Sequence, residues 1–209
     1  MRFPDAWSGP ANGTLTVEVS STYYRDPSVF LEASDADDNK VQSDPITIAW
    51  PCEHDYFFET DMTLCSAAAA IDSAAAEQLF EHGRMLWLED ATGGGDVVPR
   101  ILVLYDDAPS RYEDYPDTWT DAEPESDPNI VPPAGLDQPS RGFGKVWREN
   151  SAVRDALGWA LAPELGFATQ WQPQIRESLP AVSFVARLDG QIVRAWGWGS
   201  GGNWDIVTD

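Results

Sequence analysis

The sequence predicts a mainly β protein: partial immunoglobulin-like strands followed by a β-hairpin repeat region with one short helix. Three observations carry that expectation. Short stretches alternate polar and apolar residues and are separated by turn residues. An Asp189-Gly190 pair sits between two apolar runs near the end of the chain, and Asp-Gly is the preferred tight hairpin turn. Two matched segments, Gln78–Leu88 and Arg141–Trp147 with Leu157–Glu164, join aromatic residues to glycines at fixed offsets. At 209 residues with 43% hydrophobic content, the chain can bury a real core and is not disordered throughout.

Residues 1–50 read as the C-terminal strands of an immunoglobulin-like β domain. Gly13–Val19 alternates, Ser28–Ala33 follows, and Asp44–Trp50 closes. Residues 51–75 form a cysteine-bounded connector that runs into the alanine-rich stretch Ser66–Ala76. Alanine favours helix, but the stretch has no broad apolar stripe, so at most a short helix is expected. Residues 76–209 make an aromatic-rich β-repeat domain. Its strands are expected at Gly83–Glu89 and Arg100–Tyr105, around a Thr92–Asp96 loop. Residues 106–140 are rich in Asp, Glu and Pro and read as an exposed, irregular connection. Gly144–Arg148 suits helix or strand. Ser151–Leu157 suits a helical turn or two, capped by Ser151 and stopped by Gly158. The hairpin Val182–Arg187 and Gln191–Trp196 and a last strand Asn203–Val207 complete the list.

Charge narrows the partners. The net charge is −22, from 35 acidic and 13 basic residues, which repels nucleic-acid phosphates and anionic membrane surfaces. No apolar run is long enough to span a bilayer, and the segment after Met1 has no apolar signal core. Nucleic acid and membrane insertion are therefore not expected. Cys52 and Cys65 flank a short turn-rich loop, and a disulfide between them would add roughly 3 kcal/mol by the chain-entropy model. Two buried thiols are the alternative, and a zinc site fits poorly with His54 as the only nearby histidine. A disulfide implies an extracellular or cell-surface location. In an exported protein Met1 would then be internal to a longer chain.

The stretch Gln78-x-Phe80-Glu-x-Gly83-x-Met85-x-Trp87, with Ile101–Tyr105 and Leu157-Gly158-x-Ala160, resembles the LGFP-type repeat of secreted bacterial cell-wall proteins. It is also similar to uncharacterised secreted bacterial proteins that carry such a segment after an immunoglobulin-like domain. The resemblance covers roughly residues 76–172. It departs at Ala160, where that repeat has proline, and about one and a half units are recognisable. The resemblance implies anchoring to, or binding at, a cell envelope.

The residues themselves add a ligand class. Phe80, Trp87, Tyr105, Phe143, Trp147 and Trp159 are expected mainly in the core, each able to bury roughly 150–250 Å². Gly83 and Gly158 are expected where close strand approach or backbone dihedrals exclude a side chain. Among ten tryptophans, Trp119, Trp171, Trp196, Trp198 and Trp204 lie beside loops or polar residues and are the candidate platforms for a sugar ring. Asp35, Asp37, Asp38 and Asn39 gather hard oxygen ligands in a turn and are the candidate calcium site. A plain Asx-rich turn is the alternative there, and no other cofactor is implied.

Catalysis is not expected. Only His54 and His82 are available, with His82 in a turn, and no Gly-x-Ser-x-Gly elbow or phosphate loop is present. Carboxylate pairs such as Asp106/Asp107 or Glu123/Glu125 carry no weight in so acidic a chain. The expected function is a non-catalytic extracellular module that binds or anchors at a cell envelope, through its polysaccharide or a surface protein. A structural spacer and an accessory domain of a secreted hydrolase are the competing readings.

Overall fold

The computed structural model describes residues 26, 28–35, 37–90, 99–174, 181–198 and 200–208. The chain divides into two units, the first comprising the described residues through Tyr56 together with Thr60–Ser66. In it β1 (Ser28–Val29) pairs with β4 (Ile46–Thr47), and β2 (Glu32–Ser34) pairs with β3 (Lys40–Gln42), all antiparallel. Ser43 joins the two pairings: its N–H donates to the Leu31 carbonyl, and its hydroxyl accepts from the Leu31 N–H. The expected strands at 28–33 and 44–50 are thus present in shortened form, whereas Gly13–Val19 lies outside the described residues. Cys52 and Cys65 form the expected disulfide, with S–S 2.05 Å.

The second unit, Phe57–Glu59 and the residues from Ala67 on, is built on a closed antiparallel barrel. Its eight strands are β5 (Ile71–Phe80), β6 (Gly83–Leu88), β7 (Arg100–Tyr105), β8 (Arg111–Pro116), β9 (Leu165–Gln174), β10 (Ala181–Ala186), β11 (Ile192–Trp198) and β12 (Gly201–Ile206). Around the barrel they run β10-β11-β12-β8-β7-β6-β5-β9. The mainly β expectation holds. The β10–β11 hairpin turns at Asp189-Gly190 as read from the sequence, with Gly190 at φ 82° and the Gln191 N–H bonded to the Asp189 carboxylate. The Thr92–Asp96 loop lies outside the described residues.

One residue from every strand reaches a common interior, for example Ala75, Leu86, Leu104, Tyr112, Trp171, Val185, Val193 and Trp204. An eight-stranded barrel is just wide enough for its side chains to fill, so this interior is core. The opposite face of β5–β7 is covered by α1 (Arg141–Glu149) and α2 (Ser151–Leu157), with Phe80, Met85, Val103, Phe143, Trp147 and Leu157 packed between. β6 and β7 are therefore buried on both faces, which explains the unbroken apolar run Ile101–Tyr105. Among the described residues no helix is long and apolar enough to cross a membrane.

Four local expectations are corrected. Ile71–Phe80, in and after the alanine run, is a strand paired to β6 and β9, because two neighbours supply its backbone hydrogen bonds and override a helix propensity of a few tenths of a kcal/mol per residue. The connection 106–140 contains β8, which closes the barrel between β7 and β12. Two helices are present instead of one. α2 starts after Asn150, not Ser151, and the Asn150 side chain donates to the Val146 carbonyl of α1 instead of capping α2.

The two aromatic–glycine segments meet in space. Phe80 bridges Ala160, the Glu81 N–H donates to the Trp159 carbonyl, and the His82 N–H donates to the Leu157 carbonyl. A Cβ on Gly83 would lie 2.2 Å from the Leu104 carbonyl oxygen, and one on Gly158 would lie 2.5 Å from Glu81 Oε2. Both glycines are positions that exclude a side chain, and His82 is exposed in the turn between β5 and β6.

Candidate functional site

The interior-facing side chains pack into one cluster, and a pocket opens on the outer face of the sheet. One row of paired residues across the sheet reads Gly166, Ala76, Trp87, Ile101, Tyr115, from β9 to β8. The small residues at its first two positions leave a floor beside the Trp87 indole. Over this floor the chain that follows β8 folds back. The Asp117 N–H donates to the Pro99 carbonyl (2.9 Å), and Asp117 Oδ1 accepts the Trp119 N–H (3.0 Å). The N-terminus of α1 and Glu164, just before β9, complete a pocket of about 370 Å³ lined by Ala76, Trp87, Pro99, Asp117, Trp119, Arg141, Gly142, Phe143 and Glu164. That volume falls within the roughly 300–1,000 Å³ of small-molecule sites, and an apolar lining with a few convergent polar groups is their usual chemistry.

Ion pairs hold the far wall. Arg141 Nε donates to Glu125 Oε1 and its Nη1 to Glu164 Oε1, both at 3.1 Å. Lys145 Nζ bonds both Glu123 oxygens (2.9 and 2.8 Å) and the Thr118 carbonyl (3.1 Å). Glu123 and Glu125 therefore serve as anchors of the segment that carries Trp119. Arg141 adopts φ 50°, a left-handed backbone uncommon outside glycine. Burial raises the Glu164 carboxyl above its usual range. Glu125 and Asp117 add to that rise, and Arg141 opposes it.

The indole N–H groups of Trp87 and Trp119 are both buried and, among the described residues, without a hydrogen-bond partner. Each such donor costs about 1–3 kcal/mol in lost solvation, and the two tryptophans that carry them line the same pocket. A wider, more open depression of about 850 Å³ lies over Asp72, Ala74, Glu89, Ala168 and Gln170, and among the described residues it has no tryptophan in its lining.

Of the five candidate platforms, Trp119 lies in the pocket. Trp171 and Trp204 do not serve as platforms: both are barrel core, 6% and 9% exposed, and the Trp204 Nε1–H donates to the Tyr105 carbonyl (2.9 Å). Trp196 is half-buried on β11, with the Arg194 guanidinium 5.1 Å from its ring centroid. The Trp198 side chain lies outside the described residues. The structure therefore does not bring these five together. Trp87, Asp117, Arg141 and Glu164 escaped notice as ligand contacts, since no local pattern marks residues gathered from separate elements.

The acidic turn does not gather toward a cation. Asp35 Oδ1 accepts the N–H groups of Asp37 and Asn39 (both 2.9 Å), and Oδ2 accepts Asn39 Nδ2 (2.7 Å). These bonds, the Asn39 side chain first, lower the Asp35 carboxyl below its usual range. This is an Asx turn. Among the described residues no group of three or more His, Cys, Asp or Glu could hold a metal ion.

Fold and site together define an antiparallel β-barrel with an aromatic pocket on its outer face. Compared with protein-family models, with curated proteins and with solved structures, the chain matches none.

Proposed function

We propose that this chain is a non-catalytic extracellular module that binds at a cell envelope, taking a sugar residue of a surface polysaccharide into the Trp87–Trp119 pocket. The observation that carries the reading is a pocket of about 370 Å³ lined by the indoles of Trp87 and Trp119 together with Asp117, Arg141 and Glu164. A pyranose suits such walls: its C–H faces pack on aromatic surface, and its ring hydroxyls meet the polar groups beside it. Asp117, Arg141 and Glu164 supply the polar groups that orient hydroxyls. The Cys52–Cys65 disulfide supports an extracellular setting.

The experiment is a glycan panel and an envelope-polysaccharide pull-down with the wild-type chain, followed by intrinsic tryptophan fluorescence titration of the hits. Trp119→Ala removes one wall and is expected to abolish binding, while Trp119→Phe retains part of it. Wild-type binding untouched by Trp119→Ala would place the site elsewhere, and an empty panel would remove the sugar reading.

A further inference from the structure

We propose that the pocket selects a sugar bearing a primary ammonium, a 2-amino-2-deoxyhexose, over its N-acetylated or carboxylated counterparts, with Glu164 as the specificity-determining residue. This rests on the sugar-binding reading of the same pocket. The lining carries two carboxylates, Asp117 and Glu164, against the single guanidinium of Arg141. That guanidinium is shared with a third carboxylate, Glu125. Arg141 thus leaves the pocket with an excess of negative charge. Glu164 is the member set into the wall, its side chain 23% exposed against 53% for Arg141 and 59% for Glu125. A partly desolvated carboxylate with a shared counter-ion is stabilised by a cation brought in on the ligand.

The rest of the pocket decides which cation. A lysine side chain would satisfy Glu164 but lays only a narrow chain of methylenes against the Trp87 and Trp119 indoles. An amino sugar carries its ammonium on a compact ring with broad C–H faces, so one ligand answers both the carboxylate and the aromatic surface. An acetamido group is neutral and leaves Glu164 with Arg141 alone. A uronic acid adds a negative charge to a pocket already in excess, on a chain of net charge −22. Charge sign and aromatic lining therefore point to the same ligand.

The test titrates the wild-type chain, just below neutral pH, with glucosamine oligosaccharides, the fully N-acetylated oligomers of equal length, oligomers containing glucuronic acid, and a lysine peptide. Calorimetry and tryptophan fluorescence read the affinities. The amine form is expected to bind on the order of ten- to a hundredfold tighter than the acetylated form, the range of a charge-assisted hydrogen bond. Glu164→Gln is expected to erase that preference, so that the amine and acetylated oligomers bind alike. Equal or tighter binding of the acetylated form, or a preference that survives Glu164→Gln, overturns the assignment and leaves the sugar site standing. A lysine peptide that binds as tightly as the amino sugar overturns the sugar component. If no oligomer binds, both the site and its specificity fall together.

Discussion

Gly142→Ala is the substitution that separates helix propensity from the architecture of the pocket. Gly142 is the second residue of α1, and in an ordinary exposed helix alanine would be favoured there by about 1 kcal/mol. Here a Cβ at position 142 would stand 2.7 and 2.8 Å from the two Asp117 carboxylate oxygens and 2.9 Å from the carbon between them. Ordinary van der Waals contact begins near 3.4 Å, so the carboxylate must retreat by about 0.7 Å, the difference between that and 2.7 Å. It is poorly free to do so. The Asp117 N–H is bonded to Pro99, and Oδ1 holds the Trp119 N–H at 3.0 Å. Retreat breaks that last bond and shifts Trp119 out of the wall. Overpacking costs roughly 1–3 kcal/mol and a lost hydrogen bond about 1 kcal/mol, which outweighs the propensity gain. A net loss of about 2 kcal/mol is expected, read in urea unfolding monitored by circular dichroism, together with a drop in saccharide affinity. A variant as stable as wild type, or more so, with unchanged affinity would refute the placement of Asp117 against α1.

Three further outcomes are expected. Glu77, 5% exposed, bonds Arg187 through Oε1 at 2.9 and 3.1 Å and pairs with Arg84 at 3.4 Å. Glu77→Ala takes the carboxylate from Arg84 and leaves Arg187 with Asp189 (3.2 Å) and Gln191 (2.7 Å), and should cost about 3 kcal/mol in urea unfolding, the low end for a broken buried pair; a loss under 1 kcal/mol would mean that the remaining partners and water already serve them. Burial first, then its hydrogen bond to Glu113, raises the Tyr115 phenol to about 12. The folded chain therefore holds that proton more tightly than the unfolded one, and stability is full below pH 10 and declines as pH climbs from about 10 to 12; ultraviolet phenolate titration of wild type against Tyr115→Phe isolates this group, and a Tyr115 titrating near 10 would contradict it. Glu164, raised by burial with Glu125 and Asp117 adding and Arg141 opposing, must be ionised to meet an ammonium, so affinity for an amino sugar should rise with pH through a value above the usual carboxylate range. A profile already flat from pH 4 upward, just under the unperturbed 4.5, would count against that role.

What the sequence made legible, and what it hid, follows from how many neighbours each residue answers to. β6 and β7 read correctly because their residues are apolar toward the barrel interior and toward the helices alike. β8 is harder to see. Tyr112 faces the interior while Glu113 accepts the hydroxyls of Tyr105 (3.2 Å) and Tyr115 (2.5 Å), so a run of charges and phenols looks like loop until its partners are known. The alanines of β5 carry little signal of their own, and their strand state is imposed by β6 and β9. None of this could expose the pocket, whose lining joins β5, β6, the start of β7, the segment after β8, α1 and the entry to β9.

The tryptophans show where local reading turned against itself. Polar neighbours suggest exposure for Trp171, between Gln170 and Gln172, and for Trp204, between Asn203 and Asp205. In a strand, successive side chains point to opposite faces, so a tryptophan flanked by polar residues on a barrel strand belongs to the dry side. Both are core. The converse holds for Trp87, set between Leu86 and Leu88. Those two leucines fill the barrel interior, so the indole must face outward, into the pocket wall. Trp196, next to buried Ala195, is outward for the same reason and half-buried. Trp119 belongs to no strand, and its neighbours say nothing about its direction; Asp117 and Lys145 fix that segment instead. In a barrel whose interior is apolar, an outward indole is announced by apolar residues on either side of it, and that inversion hid Trp87 from the sequence while two core residues were put forward in its place.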